Sequence, residues 1–184
     1  MPVRIVPKQI VILSPEHAPR ARYAPLPRKF SEGRIQRSIL AILQNNVLGS
    51  MSTVNRKQRA YINTAYICSS DTLEFYFLSD PNSIHCRNLQ TNSSMAMTIF
   101  DSRQKWGMPD RGLQLFGTCR AASSRQAIQA EQLYSERFAA FRTTWTKRTR
   151  FRYRFYRFVP TQLKLLDERQ FGAGVFIIAD LKRR

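Results

Sequence analysis

After Asn45-Asn46 the spacing of apolar residues changes from a helical repeat to simple alternation, and this change constrains the fold more than any other feature of the chain. Before it, Ile35, Ile39, Ile42 and Leu43 recur at helical spacing, with Arg34, Gln36 and Arg37 on the other side, which predicts a helix over 31–44. After it, short runs rich in β-branched and aromatic residues predict strands over 47–54, 60–68, 73–79, 94–100 and 112–121. Residues 55–59 read as a polar loop and Ser69-Ser70-Asp71 as a turn. In 73–79, alternation puts Leu73, Phe75 and Phe77 on one face and Glu74 and Tyr76 on the other. Two further helices are expected. A short one spans 83–90. A longer one, over 124–141, is capped by Ser123 or Ser124 and has Ala127, Ile128, Leu133, Tyr134, Phe138 and Phe141 on its apolar side. Strands over 150–159, 162–167 and 174–180 complete the pattern. Many antiparallel strands with a few inserted helices predict an α+β, mainly β, barrel.

The chain has 184 residues, enough to bury the core of one domain. Six of its nine prolines fall within residues 1–30 among Arg20, Arg22, Arg28 and Lys29, which reads as an extended basic arm; residues 31–184 form the barrel domain. The formal net charge is +18, concentrated between Arg4 and Arg37 and between Arg137 and Lys164. Such a field attracts anionic ligands, nucleic acid or an anionic surface. Cys68, Cys86 and Cys119 are widely spaced and odd in number, and His17 and His85 are the only imidazoles, so neither a disulfide framework nor a metal site is expected. No apolar run approaches the roughly 20 residues of a membrane span, and a reducing, cytoplasmic setting is expected.

The segment with most chemistry is the strand ending at Ser79, the turn Asp80-Pro81-Asn82 and the helix that follows. The start of a helix presents unpaired N–H groups and the positive end of its dipole, which suits a phosphate; Ser83, His85 and Arg87 stand there as donors. The plainer alternative is a surface helix capped by Asp80 or Asn82. Other constellations fail. Ser83 and His85 are two residues apart and do not face each other on a helix as nucleophile and base. Asp167 and Glu168 are adjacent, so on a strand their carboxylates point to opposite faces.

The stretch Phe77-Leu78-Ser79-Asp80-Pro81-Asn82-Ser83-Ile84-His85 resembles the phosphate-binding turn of the pyridoxamine 5′-phosphate oxidase-like family of FMN-binding split barrels. The likeness extends to Tyr61-Ile62-Asn63-Thr64-Ala65-Tyr66, to Arg111-Gly112-Leu113-Gln114-Leu115-Phe116-Gly117, and to the closing segment from Pro160 to Phe171-Gly172. In this chain Ile84 stands where the family usually has Arg, and His85 where it usually has Lys. The resemblance implies an antiparallel split β-barrel, a homodimer, and FMN in a groove between subunits. Ser79, Ser83 and His85 would hold the phosphate, and the main chain of Asn63, Thr64, Ala65 and Tyr66 would face the ring system. Trp106 and Gln114 would come from the second subunit. It implies a flavoprotein, an FMN-dependent oxidoreductase acting on a small molecule. A non-catalytic flavin or haem protein, with His85 as the iron ligand, is the alternative.

Arg150-Phe151-Arg152-Tyr153-Arg154-Phe155 reads as a strand with Phe151, Tyr153 and Phe155 on one face and the arginines on the other. Interleaved cations and aromatics suit single-stranded nucleic acid, but separation onto opposite faces suits a core face and a solvated or anion-facing one.

Overall fold

The computed structural model describes residues 3–12, 22–24 and 30–183. Strand β8 (Arg154–Asp167) organises the sheet. One of its edges pairs along the length of β7 (Arg111–Ala121). Its other edge serves two partners in turn. Residues 154–158 pair with β5 (Phe75–Ser79), and residues 162–166 pair with β9 (Val175–Lys182). From β5 the ladder passes through β4 (Ala60–Ser69), β3 (Leu48–Val54) and β6 (Ser94–Phe100) back to β7, closing a six-stranded antiparallel barrel. From β9 it passes outward through β1 (Arg4–Ile12) to β2 (Arg22–Ala24). The expected antiparallel split barrel with a few helices is the fold observed. The rest of the expected arm, 1–2, 13–21 and 25–29, lies outside the described residues.

The division of β8 falls at Pro160. The register with β7 slips there, Gly117 opposing Pro160 and Phe116 opposing Gln162, so Thr161 is the extra residue of a bulge. Proline lacks the N–H that a central strand would use, and a bulge is where a sheet tolerates it. The closeness of the crossing demands glycine at 117. A Cβ there would lie 2.2 Å from the Val159 carbonyl oxygen and 2.5 Å from Pro160 Cα. Arg183 spans the split on the other side, donating to Pro160 O at 2.6 Å and to the carbonyls of Thr72 and Leu73 at 3.3 and 3.2 Å.

Inward side chains of the strands share one core with the buried faces of two helices. Helix α1 (Glu32–Asn45) starts at Ser31, whose hydroxyl accepts from Arg34 N, and buries Ile35, Ile39, Ile42 and Leu43 as their spacing predicts. Helix α2 (Ile84–Thr91) contributes Cys86 and Leu89. Ser38 of α1 donates to the wholly buried Asp167 at 2.6 Å, and Arg111 meets the same carboxylate oxygen at 3.1 Å. Glu168 turns away and accepts from the backbone N–H groups of Asp110 and Gly174.

Two segments depart from expectation. Residues 124–141 form two helices, α3 (Ser124–Arg137) and α4 (Ala139–Thr144), broken at the extended Phe138. Ile128, placed on the apolar side, is 63% exposed. The expected strand over 150–159 begins only at Arg154, because Lys147–Arg152 is helix α5. The cause is local. Thr146 Oγ1 accepts from Thr149 N, and Thr149 Oγ1 accepts from Thr146 N, a reciprocal cap that satisfies two orphan amides and starts a helix. Phe151 therefore leaves the core face and stands 92% exposed. The alternation that would have interleaved arginines and aromatics over 150–155 does not form. Strand β8 also runs unbroken through 159–162, where two strands were expected.

Replacing Gly117 by Ala is expected to cost about 1–3 kcal/mol, the range for overpacking a close contact. The same change at Gly112, where a Cβ meets its neighbours at an ordinary 3.4 Å, is the control. Urea unfolding midpoints measure both; equal midpoints for the two variants would refute the close-crossing argument.

Candidate functional site

The turn after β5 is built by its own side chains. Asp80 Oδ1 accepts from Asn82 N at 2.8 Å and Asp80 O accepts from Ser83 N at 3.0 Å, an Asx turn with Pro81 setting the backbone angle. The turn aims the end of β5 and the start of α2 at one spot. There Ser79 Oγ lies 2.7 Å from His85 Nε2, Ser83 Oγ lies 3.1 Å from the same nitrogen, and the two hydroxyls are 3.3 Å apart. Ser83 is the N-cap residue of α2, yet its side chain makes no capping bond. The first amides of α2 thus have no side-chain acceptor, and both hydroxyls converge on the imidazole.

Beside this cluster runs a free strand edge. β4 pairs with β3 from Ala60 to Tyr66, but with β5 only from Ile67 to Ser69. Where the next rung would form, the Tyr134 hydroxyl intervenes: it accepts from Leu78 N at 3.2 Å and donates to Tyr66 O. Helix α3 thus drives an aromatic wedge between β4 and β5. Tyr134 belongs to a second aromatic cluster with Tyr76, Phe141 and Phe155, which fixes the ring. Among the described residues no strand pairs with the outer edge of Asn63, Thr64, Ala65 and Tyr66. Asn63 shares the inward face of its register partner Met51, and its Oδ1 is buried with no hydrogen-bond partner.

Of the residues singled out in the sequence, the fold brings Ser79, Ser83 and His85 together and sets the edge from Asn63 to Tyr66 next to the turn; Ser83 and His85, expected not to face each other, do meet, because Ser83 is the extended cap residue and not part of the helical turn. Trp106 and Gln114 lie apart from them. Trp106 is fully exposed in the loop before β7. Gln114 is exposed on the outer face of the barrel, between Thr98 of β6 and Lys164 of β8. Arg87 is directed elsewhere, lining a separate cleft with Asn55, Arg56 and Lys57. Sequence reasoning missed Tyr134 as the wedge, since its spacing marks it only as a core residue of α3. Arg154 it placed only as one of three arginines on a solvated or anion-facing side; the β5–β8 ladder sets it directly opposite Ser79. Among the described residues no group of acidic, histidine or cysteine side chains has the arrangement of a metal site, and no helix is long and apolar enough to cross a membrane.

A six-stranded antiparallel barrel whose long strand is shared with an outer sheet defines the chain as a split barrel. It belongs to the pyridoxamine 5′-phosphate oxidase family, whose pattern it matches over residues 35–167. No curated protein matches it. Among solved structures it is similar to a heme binding protein from Mycobacterium smegmatis, with 12% identity and a TM-score of 0.65, covering 83% of this chain and 59% of that one. It is similar to HutZ, the heme storage protein from Vibrio cholerae, with 16% identity and a TM-score of 0.60, covering 72% of this chain and 95% of that one. It is also similar to General Stress Protein 26 from Bacillus anthracis, with 14% identity and a TM-score of 0.56 over 72% of this chain and 94% of that one. At these identities the likeness is one of fold.

Burial holds His85 below its ordinary value of 6.5, so it is neutral at neutral pH. The unfolded chain therefore takes up a proton at higher pH than the folded chain does. The contribution is fully present above about pH 6.5 and is lost as pH falls toward the folded value. Urea midpoints are expected to drop between about pH 7 and pH 5 in the parent and less in His85→Gln; parallel profiles would assign the drop to other groups. Replacing Tyr134 by Phe leaves Leu78 N and Tyr66 O without their partner, at a cost of about 1–3 kcal/mol. The Leu78 amide should exchange with solvent faster in the variant; unchanged exchange would mean the hydroxyl is not its acceptor.

Proposed function

We propose that this protein binds FMN along the free edge of β4, with the phosphate at Ser79, Ser83 and His85, and acts as a homodimeric FMN-dependent oxidoreductase on a small molecule. The observation that carries the reading is the convergence of two hydroxyls and a neutral imidazole at an uncapped helix start, in a chain of this family. The residues fit the group. Hydroxyls and amides donate to phosphate oxygens. On the free side of β4 the N–H and C=O of Thr64 and the N–H of Tyr66 offer donors and an acceptor to a flat heterocycle, and the orphaned Asn63 Oδ1 offers an acceptor to a ligand hydroxyl. FMN, when bound, supplies the hydride or electron chemistry, while the protein supplies position and electrostatics.

The second subunit enters through the outer face of β4, β3 and β6 and the first half of β7. In a chain of charge +18 this face has no charged side chain among Ala60, Ile62, Thr64 and Tyr66, Leu48, Ser50, Ser52 and Val54, Ser94, Ala96, Thr98 and Phe100, or Gly112, Gln114 and Phe116. Ile62 is 69% exposed and Tyr66 59%. An uncharged face with such exposed apolar groups is what a partner subunit covers. On this reading Gln114 meets the partner's cofactor across the interface, and Trp106 reaches it from the neighbouring loop.

Two of the similar structures are named for heme, which makes haem the competing ligand. In this chain both hydroxyls already meet His85 Nε2, the nitrogen that iron would need, which favours the flavin. Titration with FMN, followed by flavin fluorescence, is expected to show saturable binding, and sedimentation to give twice the 21.4 kDa chain mass. An Ile62→Lys variant should sediment as a monomer. Absence of saturable FMN binding, with hemin binding that is lost in His85→Ala, would replace the flavin by haem.

A further inference from the structure

We propose that Arg154 is the cation of a phosphomonoester seat whose neutral members are Ser79, Ser83 and His85. The ligand class follows from the seat itself, and its identity as FMN rests on the function proposed above.

The β5–β8 register places Arg154 directly opposite Ser79. Opposed residues of an antiparallel pair project from the same face, with Cβ atoms about 4.5–5.5 Å apart. The Ser79 hydroxyl on that face already touches His85 and Ser83. The Arg154 side chain therefore leaves the sheet on the side that carries the cluster. Its neighbour two residues along, Tyr156, continues the same face, stacked on Phe77 at 5.4 Å between ring centroids.

The charge pattern singles out the same residue. Along this stretch Arg150 pairs with Glu131 at 2.5 Å, Arg152 approaches Asp80 at 3.8 Å, and Arg157 grips Glu74 at 2.5 Å. Among the described residues the Arg154 side chain has no carboxylate partner and makes no hydrogen bond, and the residue is exposed. The turn between β5 and α2 brings no permanent cation of its own: from Asp80 to Cys86 it contains one carboxylate and one imidazole. That carboxylate is engaged, Oδ1 with Asn82 N and Oδ2 with Arg152. A phosphate monoester is a dianion with three terminal oxygens. A guanidinium takes two of them in a fork, and hydroxyl donors take the third. The arrangement thus supplies one fixed positive charge and a set of short, rotatable donors, which suits a phosphate better than a carboxylate.

The test compares FMN with riboflavin, which lacks only the phosphate, by fluorescence titration of the parent, Arg154→Gln and Arg152→Gln. Arg154→Gln is expected to weaken FMN about tenfold or more and to leave riboflavin unchanged. Arg152→Gln, whose guanidinium faces Asp80, should stay within about twofold of the parent. Equal losses for the two variants, or an equal loss for FMN and riboflavin, would overturn the assignment. Thermal melts of both variants should match the parent, because neither side chain is buried. If the parent binds neither flavin, the same variants are titrated with pyridoxal 5′-phosphate and inorganic phosphate. Binding that Arg154→Gln abolishes retains the seat and removes the flavin. No binding of any of these phosphates by the parent removes the seat as well.

Discussion

The crossing of Gly117 over Pro160 is the contact on which the arrangement of the sheet depends. A single strand, β8, belongs both to the closed barrel and to the outer sheet, and it changes partners between Phe158 and Gln162. A flat strand would keep one neighbour along its edge. The bulge at Thr161 bends it, proline removes the amide that would have sought a partner there, and glycine lets β7 follow the bend without a side chain in the way. Arg183 then fills the opening that the change of partners leaves, tying Pro160 to the entry of β5.

The site follows from a second opening in the same barrel. β4 and β5 share only three rungs before Tyr134 stands between them. A two-strand ladder that stops early would normally be frayed and wet. Here the wedge is a ring held by Phe141, Phe155 and Phe138, and its hydroxyl satisfies both backbone groups that the opening strands. The edge of β4 beyond Ile67 is thus left free of β5, with the bridging hydroxyl marking where the two strands part.

Most of this architecture was legible in the chain. Alternation located β3 to β7 to within one or two residues, and the helical spacing of Ile35, Ile39, Ile42 and Leu43 identified the buried face of α1. Ser79, Ser83 and His85 were recognisable because they are close in sequence, and local geometry brings them together. What alternation could not reveal was any property that depends on pairing between distant strands. Tyr134 reads as a core residue of a helix until its hydroxyl is seen to bridge strands 56 and 68 residues away. Arg154 read as one member of a basic run, and only the register of β5 with β8 separates it from Arg152. The error over 150–153 has a different origin: alternating Arg and aromatic residues mimic a strand, but the threonine pair at 146 and 149 starts a helix that outweighs the pattern.

The excess positive charge acquires structure once the pairs are drawn. Glu74 lies under Arg157 and accepts from Tyr76, which holds its carboxyl below the usual range. Asp167 is enclosed beside Arg111, and Asp180 pairs at the surface with the exposed Lys8. With only 12 acids for 30 basic residues, most cations have no partner to choose, so those that are paired mark where the fold needs neutrality. Two places then stand out against that background. The outer face of β4, β3 and β6 carries no charge at all, which self-repulsion would otherwise make the easiest property to lose at an exposed surface. Opposite Ser79, Arg154 keeps a guanidinium that the surrounding carboxylates leave alone. A chain so basic does not need that residue for solubility, and its backbone partner is the serine on which the imidazole rests. The same electrostatics that would disperse copies of this protein therefore leave one face without charge and one cation without a carboxylate, the two features on which the proposed subunit contact and phosphate seat rest.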